Sequence, residues 1–428
     1  MNEGDLAALL GDHASRHSVP GAGVGILREG AVTAAYYGVA DVSTGEPVTA
    51  ETRFSIGSLT KPMVATVIAR LADAGRLSLD DQVAADVPEL RDSDWAQRAT
   101  VKDLLANRSG LPLRAALEFG FDAHRDEDSG ALSRLAAEAG VDARLDHWSY
   151  TNVGWCLLGR VIETATRLGW EEAMRTSLFE GTGMSSTAFA TEREPIPRAV
   201  GHRVTPAGPE PVPPLIRRAY GPAGTSVVST VTDLLRFAAL HLNEPGLAAL
   251  RASQAEVSIH GWLDAWCLGW GRFDWDGGPV WGWDGLIGGE RSFLRFLPEQ
   301  QAAAVLVTNS SSGRAMYRSL LADLMAPVFG VAVPPLGLDT SPRAAGELSR
   351  FAGVYAWPDR KVAVKATARG LLLESERGES EALPLDGQTF VVDASDPDNP
   401  TLTFGELDAA GRPRVLYLML WGLPRLGD

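Results

Sequence analysis

Two pairs of strand-like runs stand at opposite ends of a long, mostly helical stretch, and this limits the folds open to the chain. GVGILREG and AVTAAYYGVA, joined through Glu29 and Gly30, read as a hairpin. RSFLRFL and AAAVLVTN, separated by PEQQ, read as a second pair far later in the sequence. Apolar residues at helical spacing, Leu6, Leu9, Leu10 and Ala14, precede the first pair and stop at Pro20, and a helical pattern over 314–325 follows the second. Further helical patterns occupy 60–74, 101–106, 153–166 and 232–242. Strand edges need strand partners, so one sheet is expected to collect strands from both ends, an α+β layout with an inserted helical region.

The pattern changes near residue 335. VPPLGLDTSP is a Pro-, Gly- and Ser-rich joint, and FAGVYAW, VAVKATA, GLLLES, TFVVDA, TLTFGEL and VLYLML then follow as short runs suited to a small barrel or sandwich. This divides the chain into 1–333, a linker at 334–345 and an all-β unit at 346–428.

The 428 residues are 45% hydrophobic and 22% charged, a composition that excludes disorder and collagen and gives ample material for a core. A formal charge of −15 argues against a nucleic-acid partner or an anionic membrane surface. No apolar run of about 18 residues is long enough for a membrane helix, and MNEGDLAALLGDHASRH lacks the pattern of a signal peptide, so a cytoplasmic location is expected. Cys156 and Cys267, both in apolar surroundings, read as reduced core thiols.

Four lysines stand among 39 lysines and arginines, so each lysine is informative. Lys61 lies three residues after Ser58 in FSIGSLTKPMVATVIARLADAG, which puts both side chains on one helical face. Pro62 is tolerated only in a first turn, so Ser58 is expected at a helix N-terminus. Among Met63, Val64, Val67 and Ile68 the lysine must be at least partly buried; burial lowers an amine pKa, and a neutral lysine is a base for a serine nucleophile. The competing reading makes Ser58 a helix cap and Lys61 a solvated side chain.

In WSYTNVGWCLLGRVIE, Tyr150 and Asn152 are two apart ahead of a helix, so phenol and carboxamide can face one cavity, the first relaying protons and the second holding a substrate amide or carbonyl. The competing reading has Asn152 cap the helix and Tyr150 fill the core. In VWGWDGLIGGERSFLRFLP, Trp283, Asp284 and Gly285 are expected to open a strand whose edge offers the Leu286 N–H as partner to the Ser58 N–H in an oxyanion hole; the bland alternative is a glycine-rich hairpin. The glycines of GAGVGI lack dinucleotide-loop spacing and read as a closely packed strand. No GxSxG, HExxH, GxxxxGK or CxxC occurs, so no metal and no cofactor is implied.

SxxK, YxN and the xxG strand motif, in this order, resemble the serine β-lactamase and penicillin-binding-protein superfamily, and within it class C β-lactamases, family VIII esterases and related acyltransferases of secondary metabolism. TVKDLLANRSGLP, GPAGTSVVSTVTDLLRF and GGERSFLRFLPEQ are similar to family segments in family order. The resemblance implies an α/β/α sandwich with an antiparallel sheet and a helical subdomain, followed by a lipocalin-like barrel. It also implies Ser58 as the acylated nucleophile, Lys61 and Tyr150 as the general-base pair, and Ser58 and Leu286 as the oxyanion hole. Asn152, Trp283, Asp284 and Gly285 would contact substrate. β-Lactamases and peptidases carry a lysine or histidine where this chain has Trp283, so the expected donor is a small uncharged ester rather than a carboxylate-bearing antibiotic. The acceptor is water in an esterase, and an amine or alcohol in a transacylase. A non-catalytic sensor or binding protein on the same fold is the alternative class.

Overall fold

Strands from both ends of the chain meet in one sheet in the computed structural model, which describes residues 1–111, 133–134, 147–190, 196–341, 345–357, 360–396, 398 and 400–426. Residues 342–344 of the expected linker lie outside the described residues. Helix α1 (Glu3–Arg16) opens with a capping box in which Asn2 and Asp5 satisfy each other's backbone N–H. Strands β1 (Gly21–Arg28) and β2 (Ala31–Asp41) form the expected hairpin, with Glu29 and Gly30 both at positive φ in its turn. β3 (Glu46–Pro47) lies outside β2.

The other strands come from the far end of this part of the chain: β4 (Ala265–Trp266), β5 (Gly271–Trp275), β6 (Gly278–Ile287), β7 (Glu290–Leu297) and β8 (Ala302–Thr308). The order across the sheet is β3-β2-β1-β8-β7-β6-β5-β4, antiparallel throughout, with Val24 opposite Leu306 where the two ends join. The intervening helices include α2 (Thr60–Asp73), α3 (Val101–Leu105), α4 (Asn152–Thr166) and α5 (Val231–Asn243), and α6 (Gly313–Phe329) follows β8. β1 is buried at every position but its last because helices cover both of its faces: α5 packs against β1 on one and α1 on the other, with α6 against α1 and the neighbouring β7 and β8. Trp283, Asp284 and Gly285 do not open a strand. They lie in the second half of β6, ahead of the Gly288–Gly289 turn into β7.

The C-terminal part is a nearly closed antiparallel barrel of eight strands: β9 (Gly353–Trp357), β10 (Arg360–Ala366), β11 (Leu371–Ser375), β12 (Gly378–Asp386), β13 (Thr389–Val391), β14 (Thr401–Leu407), β15 (Pro413–Leu418) and β16 (Trp421–Pro424). Each pairs with its sequence neighbour, and a bridge from Tyr355 to Arg425 joins the ends. Phe351, Tyr355, Phe390 and Phe404 build its separate core. The sequence showed six of these strands. β12 escaped because its first four residues are all exposed and give no apolar alternation, and β16 because it is four residues long and ends in Pro424.

The GAGVGI glycines are packing glycines. A Cβ on Gly25 would come within 2.5 Å of Val231 Cγ1 and 2.8 Å of Leu235 Cδ1, so α5 lies on the sheet at a distance only glycine allows. Gly25→Leu should therefore destabilise by about 1–3 kcal/mol through overpacking, measured as a fall in denaturant midpoint with unchanged slope. An unchanged midpoint would show that α5 shifts freely.

Candidate active site

Ser58 stands in a single 3-10 turn, Gly57–Leu59, that leads into α2, and its side chain caps neither element. Lys61, in the first turn of α2, is wholly buried. Its Nζ donates to Ser58 Oγ at 2.9 Å and to the Ala223 carbonyl at 2.5 Å, and lies 5.0 Å from the centroid of the Tyr150 ring. Burial pulls the amine down to about 7, opposed only by Cys156. That thiol, on α4, is pushed up to about 12 by its own burial and so carries no counter-charge near neutral pH. A neutral amine that keeps one N–H on Ala223 has its lone pair free for the Ser58 proton.

Tyr150 is buried beside this pair, in contact with Ser58 and with Trp283. Its ring centroid is 5.5 Å from that of Trp283, whose Nε1 reaches the phenol oxygen at 3.4 Å, and Trp266 packs edge-on behind both. Burial drives the phenol well above its ordinary range, so it is protonated at neutral pH. A protonated phenol can donate or relay a proton, and a neutral Lys61 amine beside it can accept one. Asn152, the first residue of α4, is half-buried, and Thr151 rather than Asn152 occupies the N-cap position.

The end of β6 approaches the serine turn from the other side. Gly285 has no room for a side chain: a Cβ there would lie 1.8 Å from the Ile56 carbonyl oxygen and 2.2 Å from Ser292 Oγ. Glycine there lets the strand close on the residue pair just ahead of Gly57. One residue on, the Leu286 backbone lies against Gly57, at which a Cβ would be 2.6 Å from the Leu286 N. Gly57, at φ 53, and Gly224, at φ 119, both need glycine, since a Cβ on Gly224 would be 2.9 Å from the Ser58 N. The Leu286 and Ser58 amides are thus neighbours. Asp284 corrects the expectation: it points to the opposite face, where Arg295 at 2.7 Å and Arg314 at 3.0 Å take its two oxygens. Alternation along a strand puts Trp283 and Asp284 on different faces, so both could not meet one substrate.

Residues 6–325 match the family model described as Beta-lactamase. Penicillin-binding protein 4 of Amycolatopsis lactamdurans is 32% identical over 365 residues, 80% of this chain and 94% of that protein. A crystal structure of SurE superposes with a TM-score of 0.82 at 28% identity, covering 99% of both chains. SurE with D-Leu superposes at 0.80 with the same identity and coverage. The chain belongs to the beta-lactamase family.

Several parts of this beta-lactamase-family site carry no local sequence signal. Glu290, buried on β7, accepts from the Ser55 N–H at 2.9 Å and from Arg198 at 3.1 Å, and burial raises its carboxyl to about 7. Ser292 donates to the Ile56 carbonyl at 2.7 Å. These two side chains clamp the residues just ahead of Gly57 and Ser58. The Tyr150 segment is held from both sides: Ser149 N–H donates to the Asn107 carbonyl at 2.9 Å, and Tyr150 N–H to the carbonyl of Leu420 in the barrel at 3.0 Å. Gly422 N–H donates to Ser149 Oγ at 3.2 Å, and a Cβ on Gly422 would sit 2.5 Å from the Trp148 carbonyl oxygen.

Two outcomes follow from this geometry. Protonated Lys61 cannot accept the serine proton, so acylation should rise with pH along a limb with an apparent pKa of about 7, and Lys61→Ala should lose both the limb and most of the rate. A flat profile from pH 6 to 8 would remove Lys61 as the base. Gly422→Val should push the Trp148–Tyr150 segment away and lower the acylation rate by about tenfold or more while the barrel stays folded, read by stopped-flow and circular dichroism together. Wild-type acylation in a folded Gly422→Val would show that the barrel contact is passive.

Proposed function

We propose that the protein is a serine hydrolase that acts through a covalent Ser58 acyl-enzyme on a small uncharged carboxylic ester. The observation that carries this reading is the buried Lys61 amine, 2.9 Å from Ser58 Oγ and tuned to about 7. Lys61 takes the hydroxyl proton as Oγ adds to the ester carbonyl, and the Ser58 and Leu286 amides face the developing oxyanion. The tetrahedral intermediate collapses, the C–O bond to the leaving group breaks, and Tyr150 passes a proton to the departing alkoxide. The reverse proton path lets water add to the acyl-enzyme and release the acid.

The uncharged donor is supported by Trp283. Its buried indole packs on the Tyr150 ring, and the nearby Asp284 has its arginines on the other face, so β6 presents no cation beside Tyr150. An amine acceptor, giving ester-to-amide exchange, is the second reading. The similar structure of SurE with D-Leu favours it, since D-Leu offers an amine, and apolar walls that exclude water let an amine compete.

A fluorophosphonate probe should add one adduct mass to the native protein and none to Ser58→Ala, which should also lose ester turnover while keeping its fold. Tyr150→Phe should retain binding and lose about 10²–10⁴ in rate. Substantial turnover by Ser58→Ala would remove the acyl-enzyme. With an activated ester and millimolar D-Leu or L-Leu, mass spectrometry of acid against amide decides the acceptor. Efficient nitrocefin turnover with indifference to short esters would show that the substrate class is wrong.

A further inference from the structure

Asp284 leads away from the serine to a second cavity of about 420 Å³, on the opposite face of the sheet. Trp262, Phe273, Trp275 and Tyr317 supply aromatic walls, Arg295 and Arg318 line it, and Asp386 and Thr389 of the barrel close one side. The volume suits a small organic ligand.

Two arginines, Arg295 and Arg318, line the cavity with three aspartates, Asp264, Asp284 and Asp386, and the two arginines differ in their partners. Asp284 is shared by Arg295 and Arg314, and Asp398 takes Arg291 at 3.3 Å. Arg318 forms no ion pair with a carboxylate among the described residues, and its Nη2 is buried without a hydrogen-bond acceptor. Burial and the neighbouring Arg314 pull its guanidinium down to about 10. Of the other carboxylates lining the cavity, Asp264 accepts from the Asp274 N–H at 2.9 Å and from Ser258 at 3.3 Å, while Asp386 is exposed at the rim. A desolvated donor without an acceptor is costly unless a ligand completes it.

We propose that this cavity binds a small organic carboxylate with an aromatic or apolar body, its carboxylate on Arg318 and its body against Trp262, Phe273 and Trp275. The site is separate from Ser58, because Trp283 and Asp284 point to opposite faces of β6.

The test uses full-length Ser58→Ala protein, so that it stands apart from any acyl-enzyme, with 3-phenylpropanoate and its neutral amide as probes. Calorimetry and the fluorescence of the lining tryptophans should show the acid binding about tenfold or more tighter than the amide, with affinity falling as salt rises. Arg318→Met should abolish that preference, and Arg318→Lys should keep part of it. Equal binding of acid and amide, or no binding of either at millimolar concentration, overturns the proposal, and this comparison holds whether or not the variants fold. Retained preference in a folded Arg318→Met would place the carboxylate elsewhere and overturn it equally.

Discussion

A lysine amine taken wholly out of water must lose its proton or find compensation, and Lys61 is given little of the latter. Its neighbours are the Ala223 carbonyl, the Ser58 hydroxyl, the Tyr150 ring and a neutral Cys156 thiol. The result is an amine near 7 in the folded chain against 10.5 in solution. Between these values the unfolded chain holds a proton that the folded chain does not, so stability rises with pH from about 7 toward 10.5, and below 7 the full cost is borne. The clamps of Glu290 and Ser292 on Ser55 and Ile56, and the glycines at 57, 224 and 285, keep the serine turn pressed against this unfavourable group. Strain and desolvation persist at such a site only where the surroundings over-determine it.

How far the sequence could be read depended on the range of the interaction involved. Ser58 and Lys61 were legible because spacing of three on an apolar helix is local, and burial of the lysine followed from Met63, Val64, Val67 and Ile68 beside it. The helices and the terminal strand pairs were legible from period alone. Asp284 was misassigned because facing depends on the phase of β6, which shows only once Trp283 is seen against Tyr150. The clamps on Ser55 and Ile56 could not be read at all: their partners, Glu290 and Ser292, come from the other end of the chain. The same is true of Ser149 and Gly422, 273 positions apart.

β6 therefore has two working faces with a single backbone between them. Trp283 and Gly285 serve the serine side, Asp284 serves the arginines, and the Leu286 amide extends the same strand to Gly57. A strand side chain fixed on one face limits how its neighbours turn on the other, so the double ion pair at Asp284 also holds the register of the Leu286 amide.

The barrel belongs to this arrangement. It touches the serine side through Leu420 and Gly422, which fix the backbone of Ser149 and Tyr150, and the arginine side through Asp398, paired with Arg291. A protonated phenol is useful only where its oxygen is held, and here the hold on its backbone comes half from Asn107 and half from the barrel. Nearly closed strands resist the bending that would loosen such a grip, which is why a barrel, and not a loop of the same length, suits this position.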